Sequence, residues 1–135
     1  MFALVLLKGV IEMLEAYSLN VTAAANSPIP FNNVSIEKGC TARLTSPSTI
    51  ELNKCGVYMV AVDASAAAAA TIQLVKDDVL QPQAQSTGTS PSFVTLVQVD
   101  HNNSNCCCSS PTLLQVRSIT ASTYTDANIV VTKVC

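Results

Sequence analysis

The chain has 135 residues, enough for one domain with a substantial core and too few for two ordinary ones. Hydrophobic residues make up 49% and charged residues 12%, about half the charged share of a typical soluble domain, so the surface is neutral and polar, as suits a protein packed in an assembly or living outside a cell. A net charge of -2, no Trp and few Tyr or Phe supply neither the basic footprint of a nucleic-acid binder nor a stacking platform for bases or sugars.

Residues 2–11, FALVLLKGVI, form an apolar run broken by Lys8 and Gly9. The run is too short to span a bilayer and lacks the basic n-region and small-residue cleavage site of a signal peptide, so a protein integral to a membrane is not expected. Residues 1–16 are assigned to an N-terminal arm or extension that docks on a partner, and residues 17–135 to one folded domain. Met13 also opens a plausible start for the folded part.

Tyr17–Ala25 reads as a first strand with Leu19 and Val21 on one face, ended by Asn26, Ser27 and Pro28. Ile29–Val34 is a short extended segment, and Ser35–Thr41, with Gly39, is a turn. Arg43–Ser46 and Thr49–Leu52 are short strands around Ser46–Pro47–Ser48. From Gly56 the chain alternates, with Tyr58, Val60 and Val62 on one side and Met59, Ala61 and Asp63 on the other, the pattern of a strand with one buried face. Ala66–Ala70 has helical propensity, but the β-formers that follow argue for a loop leading into a strand over Thr71–Val75. Lys76–Asp77–Asp78 is a hairpin turn before Val79 and Leu80.

Gln81–Pro91, rich in Gln, Ser, Thr and Gly, is expected to be a long polar connection. Ser92–Val99 is a strand in which Phe93, Thr95, Val97 and Val99 oppose Val94, Leu96 and Gln98. Asp100–Ser110 is a polar, cysteine-rich loop. Thr112–Arg117 is a strand with Leu114 and Val116 against Leu113 and Gln115. Ser118–Thr123 is a turn region, and Asn128–Val134 is the last strand. The sum is an all-β, antiparallel jelly-roll sandwich of about 8–10 short strands, spaced as such folds require, with no helix in its body.

The quoted strings carry a resemblance. GVYMVAVDAS (56–65), IQLVKDDVLQ (72–81), FVTLVQV (93–99), TLLQVRS (112–118) and ANIVVTKV (127–134) resemble, in order and spacing, the jelly roll of the complement globular head and tumour-necrosis-factor-like proteins. Relatives of this type occur in phage head-fibre or decoration proteins and on Gram-positive surfaces. Asp78 stands where that family places Gly, so the hairpin is expected to be strained or of another type. The resemblance implies a homotrimer in which one sheet of each protomer is covered by its neighbours. Val94 and Leu96 against Phe93 and Val97, and Leu113 against Leu114, agree with this, because a strand apolar on both faces needs cover on its outer side.

Six cysteines are present, Cys40, Cys55, Cys106, Cys107, Cys108 and Cys135, with no CxxC pair to suggest a zinc ribbon. All are candidates for disulfides. The triplet has three readings: bridges to Cys40, Cys55 or Cys135, a soft-metal thiolate site on a three-fold axis, or reduced thiols; no metal site is assigned. Cys135 suits an intersubunit link. His101, the sole histidine, reads as a solvated loop residue, the alternative being a base paired with a nearby cysteine. Asp77 and Asp78 serve the turn, and no EF-hand pattern occurs. Asn20, Asn33 and Asn102 open sequons that matter only in a eukaryotic secretory pathway. No nucleophile elbow or phosphate loop is present, so a non-enzymatic protein without a cofactor is expected.

Two functions are weighed. One is a trimeric structural protein on a virion surface, as capsid decoration, head fibre or spike, or on a bacterial cell surface, attached through the N-terminal arm to a capsid, fibre or envelope partner. The other is an adhesin or lectin-like module that binds host glycan or protein through two loops, with Gln81, Gln83 and Gln85 on one and His101, Asn102 and Asn103 on the other.

Overall fold

The computed structural model describes residues 12–39, 41–99 and 107–134. The strands, in chain order, are β1 (Met13–Ala23), β2 (Ser27–Pro28), β3 (Asn33–Lys38), β4 (Ala42–Ser46), β5 (Thr49–Lys54), β6 (Gly56–Ala66), β7 (Ala70–Lys76), β8 (Val79–Gly88), β9 (Ser92–Val99), β10 (Cys107–Ser118) and β11 (Ser122–Lys133). They form two antiparallel sheets. The front sheet runs β3-β1-β11-β6-β9 and the back sheet β4-β5-β10-β7-β8, with β2 paired beside β10. Among the described residues no helix is long and apolar enough to cross a membrane.

Strict alternation builds the core. Tyr58, Val60 and Val62 of β6 point inward with Leu14, Ala16, Ile129 and Val131 from the flanking strands. They meet Ile50, Leu52, Ile72, Leu74, Leu114 and Val116 of the back sheet in one cluster. Each of the Val, Leu and Ile side chains contributes about 1.5–3 kcal/mol by leaving water. Ile29 and Phe31, on the segment that crosses between sheets, plug the same core. That segment is tied to β1 by Ser18, fully buried, whose Oγ donates to the Pro30 carbonyl and accepts the Asn32 amide at 3.0 Å.

The alanine run behaves as the β-context predicts. Ala66 ends β6, Ala70 begins β7, and residues 67–69 form the connection. The Lys76–Val79 turn is a two-residue hairpin with positive φ at both Asp77 (49°) and Asp78 (67°), the signature of a type I′ turn. Aspartate tolerates this conformation better than most residues, which is how the turn forms without the family's glycine.

Several boundaries differ from expectation. β1 starts at Met13, not Tyr17, so residues 13–16 belong to the sheet and Leu14 and Ala16 to the core. Leu19 and Val21 do not share a face: Leu19 is 60% exposed while Val21 is buried. Asn20 causes this, since its left-handed φ of 54° shifts the alternation by one residue. β11 carries a matching slip between Tyr124 and Ala127, so the β1–β11 register survives while β11 shifts against β6.

Ser27–Pro28 is a short strand rather than a break, and Ser35–Lys38 lies in strand β3, leaving the turn to Gly39 (φ 73°). Gln81–Gly88 lies in strand β8 rather than forming a connection. β10 begins at Cys107, inside the expected loop, and β11 at Ser122. The apolar run over residues 2–11 lies outside the described residues.

Candidate functional site

Because side chains alternate, the register of the front sheet fixes its outer surface. Residues directly opposite one another form rows across β1, β11, β6 and β9. One row is Glu15–Val130–Ala61–Val94, the next Met13–Thr132–Met59–Leu96, and the third Tyr17–Asn128–Asp63–Ser92. The first two rows make a continuous, mainly apolar surface. Val94 and Leu96 on the edge strand β9 are 66% and 62% exposed. A shallow depression of about 280 Å³ lies over the small side chain of Ala61, walled by Val94 and Val130 and rimmed by Asp63, Ser92 and Asn128. Glu15 stands at the border of this surface, its carboxylate accepting the Ser35 hydroxyl at 2.8 Å.

The outer face of the back sheet is different. Its rows carry Arg43 and Glu51 beside Leu113, and Gln115 between Thr49 and Val75, with a Gln115–Thr49 side-chain bond of 3.1 Å. Its exposed apolar residues, Val79, Leu80 and Leu113, gather near the β7–β8 hairpin. That hairpin is clamped to β10: the Asp77 amide donates to the Leu113 carbonyl, and the Leu113 amide donates to Asp77 Oδ1, both at 2.9 Å. The assignment of Asp77 to the turn therefore holds, with a second task in joining β10.

Of the residues singled out from sequence, those the structure describes lie on different strands. Gln81, Gln83 and Gln85 lie on β8, an edge strand, and not on a loop. Their amide groups are engaged with the protein itself: Gln81 Nε2 donates to the Val79 carbonyl (2.9 Å), Gln85 Nε2 to the Pro82 carbonyl (3.2 Å) and Gln83 Nε2 to Gln81 Oε1 (3.4 Å). His101, Asn102 and Asn103 lie outside the described residues, as do Cys40, Cys106 and Cys135. Cys55 is half-buried between β5 and β6. Cys107 and Cys108 fall on β10, where the Cys107 backbone pairs with Lys54, next to Cys55 in sequence. Among the described residues no cluster of His, Cys, Asp and Glu is arranged to hold a metal ion. Met13, Met59, Ala61 and Val130 were not singled out as surface residues. The alternation that puts them outward is in the sequence, but their adjacency depends on the strand order.

No protein-family model matches the sequence, and no curated protein matches it. Solved structures do. The globular domain of zebrafish complement 1qA protein aligns over 90% of this chain and 94% of its own, with a TM-score of 0.62 at 9% identity. Murine APRIL aligns over 91% and 100%, with a TM-score of 0.65 at 6% identity. The fold is the complement-head and tumour-necrosis-factor-like jelly roll. The PRD1 vertex protein P5 has it too, aligning over 92% of this chain and 97% of its own, with a TM-score of 0.64 at 12% identity. At such identities the likeness is one of jelly-roll architecture, and it extends across nearly the whole chain.

Proposed function

We propose that this jelly roll is a non-enzymatic structural protein that assembles as a homotrimer through the outer face of its front sheet and is displayed on a virion or bacterial surface. The observation that carries the reading is the unpartnered apolar surface around Ala61, Val94, Leu96, Met59 and Val130, on a molecule whose other large face is mixed and polar. Exposed contiguous apolar surface of this kind marks an interaction site. Four strands about 4.8 Å apart and three rows about 6.8 Å apart give a flat face of about 400 Å², roughly half of what a stable interface needs from each partner. In a ring each protomer contributes two different surfaces to its two neighbours, so the area buried per protomer is about twice that, roughly 800 Å². Three-fold closure is what the fold's resemblance implies, and the likeness to a vertex protein favours a virion setting. The arm joins the domain beside Glu12, which pairs with Lys54 at 3.1 Å, and it is the segment proposed to attach the domain to a capsid, fibre or envelope partner.

Size-exclusion chromatography with light scattering tests the assembly. Three times the 14.2 kDa chain mass is expected for the wild type. Leu96→Lys on the front face should yield a folded monomer, whereas Leu80→Lys on the back sheet should keep the trimer. A monomeric wild type at high concentration, or a trimer indifferent to Leu96→Lys, would overturn the reading.

A further inference from the structure

A sandwich leaves edge strands, and an edge strand is a template on which another strand can grow. β8 is such an edge, ten residues long, and Val79 at its start is 61% exposed. Its register with β7 is interrupted between Gln73 and Val75, so residues 82–84 have no ladder partner on β7. Two carbonyls here carry side-chain bonds, that of Gln81 on the β7 side and that of Pro82. Gln73, itself nearly buried, donates from Nε2 to the Gln81 carbonyl at 3.1 Å. Gln85 covers the carbonyl of Pro82, while Gln81 bonds that of Val79, which already pairs with Lys76 across the hairpin. Pro82 removes an amide donor from the same stretch.

The adjoining edge, β9, is treated likewise from the opposite sheet. The Ser92 amide donates to Ser86 Oγ at 3.1 Å, and Lys76 Nζ donates to the Gln98 carbonyl at 2.8 Å. Backbone groups near both ends of β9 are thus bound to side chains.

We propose that the β8–β9 side of the sandwich is closed to strand addition, with Pro82 and Gln85 on β8, and Ser86 and Lys76 at the ends of β9, acting as a built-in block against edge-to-edge pairing of a second copy of this chain. The polar glutamines that suggest a binding loop in the sequence then have a different task. They satisfy the edge internally, so that copies meet through side-chain surfaces and form discrete particles. Such a block matters to a protein concentrated in an assembly, where open edges elongate into fibres.

The test is a triple variant, Gln81→Thr, Pro82→Thr and Gln85→Thr, which keeps the strand polar and β-favouring while freeing the Pro82 carbonyl and restoring the amide. Gln83→Thr is the control, because Gln83 bonds a side chain and not the backbone. Wild type and control should hold one mass by light scattering as concentration rises. The triple variant should lose that plateau, bind thioflavin T, and show amide exchange in residues 79–88 slowed by on the order of tenfold as the strand becomes paired. A folded triple variant that keeps a single discrete mass overturns the proposal. If the triple variant does not fold, Gln85→Thr alone, which frees the Pro82 carbonyl, decides by the same readouts. The outcome is independent of whether the discrete wild-type particle is a trimer.

Discussion

Ser118 has one hydroxyl proton and two neighbours within 2.6 Å, the Thr120 carbonyl and the Tyr124 hydroxyl. A carbonyl can only accept, so the Ser118 proton goes to Thr120 and Tyr124 must donate to Ser118. Both side chains are buried in the core. Ser118→Ala therefore strands the Tyr124 hydroxyl and should cost about 1–3 kcal/mol in urea unfolding. Adding Tyr124→Phe should recover part of the loss, because a buried group left unmatched costs more than a pair removed together. A double mutant as unstable as the sum of the singles would refute this bond pattern. Asp78 offers the opposite experiment. Its φ of 67° suits glycine, and Asp78→Gly should stabilise by about 1 kcal/mol, read as a raised Tm, while leaving Asp77 to hold β10.

At the level of the strand, the paired slips of β1 and β11 decide which residues reach the core. Asn20 makes its slip by taking a left-handed conformation, which a β-branched residue resists. Asn20→Val should cost about 1–2 kcal/mol despite adding β-propensity at an exposed position, and Asn20→Gly should be close to neutral, both measured by chemical denaturation. A stabilising Asn20→Val would mean that the slip is imposed by β11 alone.

The same slip shows what sequence can disclose. Strands with an apolar face, such as β6 and β9, were legible, and Tyr58, Val60 and Val62 declare it. Edge strands without one were not. β3 and β8 need no apolar face, so Ser35 reads as a turn and Gln81–Gly88 as a loop, and only Ala84 within β8 is fully buried. A one-residue shift at Asn20 leaves no compositional trace either. The candidate surface was half legible. Val94 and Leu96 stood out because their strand is apolar on both faces. Their union with Ala61, Met59 and Val130 required β6 to lie between β9 and β11, which no local pattern encodes.

For the whole molecule, the proposed assembly makes folding and association one equilibrium. If the native state is a trimer and the unfolded chain a monomer, dilution favours unfolding by mass action. A tenfold dilution shifts the balance by two-thirds of 1.4 kcal/mol per protomer, about 0.9 kcal/mol. Unfolding a chain of 135 residues gains roughly 0.28 kcal/mol per kelvin, so Tm should fall by about 3 °C for each tenfold dilution. Leu96→Lys should abolish this dependence as well as lower Tm, because it removes the association term while its side chain, already solvent-facing, leaves the core unchanged. Scanning calorimetry or dye-based melting over a hundredfold concentration range measures both. A wild-type Tm independent of concentration would place the stability of the jelly roll within the single protomer and remove the apolar front face from its energetic account.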